Sequence, residues 1–325
     1  MSTNPLNIVS TSTERSDYIP SRQSDRKQLQ AKFERLWLID PEQFNPLRNC
    51  LQKERLNRTF ALLTQHVDLK NKKIVDIGCG SGVFTRILRD AGGNIEAIDI
   101  AYNALKRFSD FDPTRIETFQ DVMPETKLSD EKYEVVVCLE LIAELPPKEY
   151  RLFFAELARI IKADGYLICS SSIDIQSEDG MERLINFAQT EFEIIDTKKS
   201  YNALFIRLKN VLQTPRFYVD VWKDPVIRKK EMSSRKGLSR RLLYLNSSTF
   251  LIWIWFILAT LMQPLLNLMK NNRSLLMSLE KICQFISDEE GVSHLIFIAK
   301  RKAMQKETDI EDKPMERPKK KEVWE

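Results

Sequence analysis

Three glycines at alternate positions, closing an apolar run that ends on an acid, constrain this chain more than any other feature. The stretch is Ile74-Val75-Asp76-Ile77-Gly78-Cys79-Gly80-Ser81-Gly82. Two lysines lead into it, and Val83, Phe84, Ile87 and Leu88 follow at helical spacing. The order is strand, tight turn, helix. Glycine is needed where a backbone takes positive φ or comes into contact with a ligand. A turn that opens a helix also presents free N–H groups at the positive end of the helix dipole. The stretch therefore predicts a nucleotide-type binding site. The dinucleotide fingerprint Gly-x-Gly-x-x-Gly does not fit, because its third glycine position holds Val83. The Gly-Lys-Ser/Thr ending of a P-loop is absent as well.

The chain around this turn alternates between strand and helix patterns. Gly92-Gly93 stops the first helix, and Asn94 to Ile100 reads as a second strand carrying Asp99 near its end. A carboxylate there suits the two hydroxyls of a ribose, which many nucleotide-like ligands share. A third strand, Ile116 to Gln120, runs into Asp121-Val122. The β-branched run Tyr133 to Leu139 predicts a fourth strand buried on both faces, as in a parallel sheet. A helix with Tyr150, Phe153, Phe154, Leu157 and Ile161 inward, a fifth strand from Tyr166 to Ser171, a helix over about 179–190 and a sixth strand from Phe192 to Thr197 follow. The alternation over 72–197 predicts an α/β fold with a mostly parallel sheet. Before it, a helix starting near Asp25 and a second over about 47–66 either cover the cleft or pack on the flank of the sheet.

Asp76-Ile77-Gly78-Cys79-Gly80-Ser81-Gly82 resembles motif I of the class I S-adenosylmethionine-dependent methyltransferases. Lys162-Ala163-Asp164-Gly165, before the fifth strand, resembles the same family. The resemblance implies a Rossmann-like seven-stranded, mostly parallel sheet with an antiparallel last strand, here Ser293 to Lys300. It implies S-adenosyl-L-methionine as cofactor, held by Asp76, Gly78, Cys79, Gly80, Gly82, Asp99, Ile100, Asp121, Val122 and Leu139. In such enzymes the acid after the third strand contacts the adenine amino group, and the backbone of the next residue assists. Glu140 to Pro147 resembles the family segment that usually reads Glu-x-x-Glu-His, but Ala143-Glu144 stands where the Glu-His pair is customary. The role of that histidine does not carry over. Glu140 and Glu144 share a face if the segment is helical, and they then serve as base, as ligands of a divalent ion, or as solvated acids at a helix start. His294 is expected to be structural, and Cys79 to be a packing residue.

A net charge of +4 is too mild to imply nucleic acid. Five widely separated cysteines and two histidines give no metal-ligand spacing and fit a reducing compartment. No apolar run follows Met1, so the expected location is cytoplasmic. The domain reading is a disordered tail at 1–24, helices over the cleft at 25–71, a catalytic core at 72–199, a helical insertion at 200–292, the last core strand at 293–301 and a charged tail at 302–325.

The insertion is the unusual part. Arg228 to Arg241 holds seven basic residues and one acid, and Leu242 to Met269 holds no charge at all. A basic cluster beside a Trp-containing apolar run is the pattern of membrane contact, expected here over 228–269. Because the sixth and seventh strands belong to one sheet, a single crossing cannot return the chain. The readings are an interfacial helix with Thr260, Gln263 and Asn267 as a polar stripe, a hairpin turned at Gln263-Pro264, or a lid. The expected function is methyl transfer to a small-molecule or lipid-like acceptor at a membrane surface. Two alternatives are an inactive, membrane-tethered cofactor-binding protein and an NAD- or nucleotide-sugar-dependent Rossmann enzyme.

Overall fold

A computed structural model describes residues 22–111, 116–173, 180–287 and 292–302. The tails expected at 1–24 and 302–325 lie outside these residues, apart from Lys302 and the start of the first helix, which begins at Arg22 rather than near Asp25.

Two helices, α1 (Arg22–Ile39) and α2 (Cys50–His66), precede an alternating core. That core runs β1 (Lys73–Ile77), α3 (Val83–Asp90), β2 (Asn94–Asp99), α4 (Tyr102–Phe111), β3 (Glu117–Gln120), β4 (Tyr133–Leu139), α5 (Tyr150–Ile160), β5 (Ile161–Ser172), α6 (Gly180–Ala188) and β6 (Phe192–Asn202). Five helices follow: α7 (Ala203–Lys223), α8 (Pro225–Ser234), α9 (Gly237–Asn246), α10 (Thr249–Asn271) and α11 (Arg273–Ile286). The last strand is β7 (Val292–Arg301).

The strands form one seven-stranded sheet in the order β3-β2-β1-β4-β5-β7-β6. The first five pair in parallel, and β7 lies antiparallel between β5 and β6. This is the predicted α/β architecture with its antiparallel last strand. Val135, Val136 and Val137 of β4 are fully buried, as a strand covered on both faces requires. One face packs on Phe153, Phe154 and Leu157 of α5. The other packs on Leu56, Leu62 and Leu63 of α2 and Phe84 and Leu88 of α3. So α2 flanks the sheet, while α1 lies over the cleft with Phe33 and Trp37 on its wall. α2 also lines the cleft, with Arg55 and Thr59.

The insertion departs from one expectation. Gln263-Pro264 does not turn a hairpin, because α10 continues through Pro264 as a single helix. A proline removes one backbone N–H from the ladder. The leucines and methionines on either side keep the register, and α10 lies along α7, where Val219 packs against Ile252 and Ala259. Ile252, Ala259, Leu266 and Met269 are buried. The opposite face carries Trp253, Ile257, Leu261 and Leu268, all exposed, Trp253 at 68% and Leu261 at 70%. Trp255 faces inward and packs against Tyr218, with ring centroids 4.7 Å apart and the planes tilted by 32°.

Ion pairs on two buried carboxylates, Glu54 and Glu280, fasten the insertion to α2. Arg58 donates to Glu280 of α11 at 2.5 Å and to Ser200 at 2.9 Å, and Arg273 donates to Glu54 at 2.6 Å. Burial pushes the Glu54 carboxyl up, but Arg273 and Arg58 hold it below the usual range.

Candidate active site

The glycine turn hangs from β2. The N–H groups of Gly78 and Cys79 both donate to the carbonyl of Ile98, at 2.8 and 3.0 Å. Gly78, Gly80 and Gly82 have φ of +75°, +55° and +75°, the left-handed region that glycine alone enters freely. At Gly80 a side chain would also meet the indole of Trp37 at 3.0 Å. Gly82 has a different reason to be glycine. A Cβ there would lie 2.4 Å from the ring of Phe108, behind the turn. Gly82 opens α3, where its left-handed backbone starts the helix behind the other two glycines.

Asp99 is buried and holds the turn by both oxygens. One accepts from Gly80 N at 2.9 Å, the other from Ala101 N at 2.8 Å. Burial pushes its pKa up to about 6, against the pull of those two N–H bonds. Asp76 is buried too and accepts from Thr85 Oγ1 at 2.6 Å. Burial, with the nearby Asp99 charge adding to it, pushes Asp76 up to about 7. Cys79 is a high-pKa thiol, raised first by burial and then by Asp99 and Asp76, which suits packing rather than nucleophilic attack.

The turn opens into a cleft of about 2010 Å³. Ile100, Asp121, Val122 and Leu139 line it, as expected of cofactor neighbours. The Val122 N–H, however, donates to Asp121 Oδ1 at 2.9 Å, and Asp121 Oδ2 accepts from Lys127 N at 2.7 Å. That pair braces its own loop, with the other lone pairs of the carboxylate still open to a ligand.

Beyond Leu139 the expected helix is not present. Glu140 has φ of +61°, and only Ile142–Glu144 forms a single 3-10 turn. Glu140 and Glu144 therefore do not stand one helical turn apart on one face. Glu144 pairs with Lys32 of α1 at 2.8 Å and fastens the helix that covers the cleft. Glu140 faces the other way: it accepts from Ser170 Oγ at 2.8 Å and pairs with Arg55 at 3.1 Å. His294 Nε2 lies 3.6 Å from Glu140, and its Nδ1 is 2.8 Å from Ser293 Oγ. Burial raises Glu140, but Arg55 and His294 outweigh it and hold the carboxylate ionised. Burial pushes His294 down to about 4, and Arg55 and Lys209 add to the effect, so the imidazole is neutral at pH 7.

Arg55 is not singled out by reading along the chain, and His294, expected to be structural, meets Glu140 only through the fold. In register, His294 faces Ser172 on β5 and Ser200 on β6, so only the β5–β7–β6 pairing brings it to the end of β4. It stands near the segment where the family's customary histidine is missing. Among the described residues no group of three or more His, Cys, Asp or Glu side chains is arranged to hold a metal ion.

The profile of the methyltransferase domain family matches residues 75–169, the stretch from β1 to β5. Residues 75–169 are a methyltransferase domain. The sheet order, with antiparallel β7 between β5 and β6, is that of the class I methyltransferase fold. The methyltransferase domain is similar to a ubiquinone biosynthesis O-methyltransferase of Rickettsia canadensis, 30% identical over 154 residues, covering 45% of this chain and 63% of that protein. The protein of the same description from Yersinia enterocolitica is 27% identical over 167 residues, covering 48% of this chain and 65% of that protein. The match thus spans less than two thirds of these relatives. Among solved structures, N-methyltransferase NodS from Bradyrhizobium japonicum with S-adenosyl-L-homocysteine is 16% identical, covering 55% of this chain and 90% of that chain, with a TM-score of 0.41. A likeness at that level fixes neither substrate nor partner.

The domain's residues fit S-adenosylmethionine. Each Asp99 oxygen accepts one backbone bond, and a carboxylate oxygen has a second lone pair for a ribose hydroxyl. Two buried carboxylates with raised pKa also suit a ligand that carries positive charge.

Proposed function

We propose that the chain transfers a methyl group from S-adenosylmethionine to a hydroxyl of a lipid-like acceptor at a membrane surface. The observation that carries this reading is one cleft that joins the Asp99 turn to a neutral histidine beside an ionised Glu140. S-adenosylmethionine supplies a methyl group already activated on a sulfonium. The protein's tasks are then alignment, exclusion of water and acceptance of a proton. Asp99 and the glycine turn hold one reactant, and Phe33 and Trp37 of α1 close the cleft over it. His294 Nε2 takes the proton of the acceptor hydroxyl, and Glu140 at 3.6 Å stabilises the imidazolium that results. Arg55 and Ser170 position Glu140. The names of the relatives, O-methyltransferases of ubiquinone biosynthesis, agree with a hydroxyl on an apolar molecule.

The membrane part rests on α10. It is long and apolar enough to cross a bilayer. Its two flanking strands pair with each other, however, so both ends of the insertion return to one sheet. A helix lying in the interface satisfies both facts. The absence of the customary Glu-His pair favoured an inactive, tethered protein. His294 beside Glu140 supplies the group whose absence gave that alternative its weight.

The test is transfer of labelled methyl into a membrane lipid extract and a soluble extract. Label should enter the lipid fraction. His294→Asn should lower kcat by about 10²–10⁴-fold, the range for losing a general base. The Kd for S-adenosylmethionine should stay within a few-fold. A folded His294→Asn enzyme with unchanged kcat would remove the histidine from the reaction.

A further inference from the structure

The cleft is charged with opposite sign at its two ends. Asp76 and Asp99 line it at the glycine turn. Met269 of α10 packs in one cluster with Phe205 of α7 and Leu51 of α2, which brings the nearby cleft residues Lys270, Lys209 and Arg48 to one end of the cleft. Among the described residues no carboxylate lies within ion-pair distance of these three. Their cationic neighbours in the cleft are different: Arg55 is paired with Glu140 and Arg235 with Glu231. Burial lowers the Lys209 ammonium, and Lys270 lowers it further. Burial lowers Lys270 in turn, followed by Arg48 and Arg216. Three like charges converging on a cleft with no counter-ion are an unfavourable arrangement in the free protein. A bound anion reverses the sign of each of those interactions.

We propose that Lys209, Lys270 and Arg48 form an oxyanion pocket that holds a carboxylate or phosphate group of an amphiphilic methyl acceptor. The proposal rests on the reading of this cleft as the transfer site and names the chemical class of its second substrate. The amphiphile follows from the position of the pocket. Lys270 lies in the last turn of α10, the helix whose outer face is apolar and exposed. An acidic head seated there has its apolar part at the border between cleft and exposed helix. Lys209 also acts electrostatically on His294, which puts the acidic head within range of the proton-accepting group. Asn210 and Asn267 line the same end and offer uncharged donors to the same oxygens.

The test is calorimetric titration of the full chain with octyl phosphate, octanoate, octanol and inorganic phosphate, with S-adenosylhomocysteine present. Octyl phosphate and octanoate should bind at least about tenfold more tightly than octanol, as charge-assisted bonds require. They should also exceed inorganic phosphate, which separates an amphiphile's head from the free ion. Lys209→Gln/Lys270→Gln should abolish the preference for the anions and leave the S-adenosylhomocysteine Kd within about twofold. Lys209→Arg, which keeps the charge, should retain the preference. Equal binding of octanol and octyl phosphate, equal binding of inorganic phosphate, or an unchanged preference in the double variant would overturn the pocket. Failure of S-adenosylhomocysteine to bind the wild type, with anion preference intact, would instead count against the methyltransferase reading and in favour of the pocket.

Discussion

Asp99 carries the sharpest pH consequence at the scale of single residues. Its pKa is about 6 in the fold against an ordinary 3.8, because burial disfavours the charge. Between those values the unfolded chain has released the proton and the folded chain still binds it. Its contribution to stability therefore falls as pH rises from about 4 to about 6 and is constant above. A ligand whose hydroxyls donate to the ionised carboxylate reverses the trend for binding. The affinity for S-adenosylmethionine should rise between pH 5 and pH 7.5, by up to about tenfold per pH unit while one proton is released. Asp99→Asn should flatten that profile and weaken binding at pH 7.5 by ~1.5–3 kcal/mol, measured by titration calorimetry. A wild-type affinity independent of pH would remove Asp99 from the ligand. Asp99 and the glycine turn were legible in the sequence because both follow from spacing along one strand–turn–helix–strand unit. His294 was not, since its neighbours Glu140 and Arg55 meet it only through strand pairing and the placement of α2. At Gly82 the motif fixes the conformation, but only packing shows that Phe108 lies where a side chain would point.

The insertion makes two predictions at the scale of elements. On α11, Glu280 is 1% exposed and anchors Arg58 of α2. Glu280→Ala leaves that guanidinium without its strongest partner. The expected cost is about 3 kcal/mol in urea unfolding, a typical penalty for breaking a buried pair by one side. A loss below the error of the measurement would show that the pair is dispensable. On α10, Trp253→Asp/Leu261→Asp changes two exposed side chains and should leave the melting temperature unchanged. It should abolish flotation with vesicles containing anionic phosphatidylglycerol, while wild-type flotation weakens with salt. Flotation of the double variant at wild-type level would place the bilayer contact elsewhere or nowhere. The cations were only partly legible here. Of the predicted basic cluster, Lys229, Lys236, Arg240 and Arg241 are exposed, whereas Arg235 pairs with Glu231 and lies over the ring of Phe217. Of the tryptophans in the apolar run, Trp253 is exposed, whereas Trp255 packs inward against Tyr218. Sequence gives the composition of a helix face, and the neighbouring helix decides which face is outside.

At the scale of the whole molecule, the sheet is ordered against the chain. β7 fills the slot between β5 and β6, yet five helices are made before it. The stretch from Asn202 to Val292 takes on the order of 5–20 s to leave a ribosome at ~5–20 residues per second. During that interval β5 and β6 each have an open edge, the feature that invites pairing with other chains. The apolar α10 is already outside, and the strand that closes the sheet is still to come. The order of synthesis therefore leaves this helix accessible, to a chaperone or to the bilayer surface proposed above, before the sheet is complete.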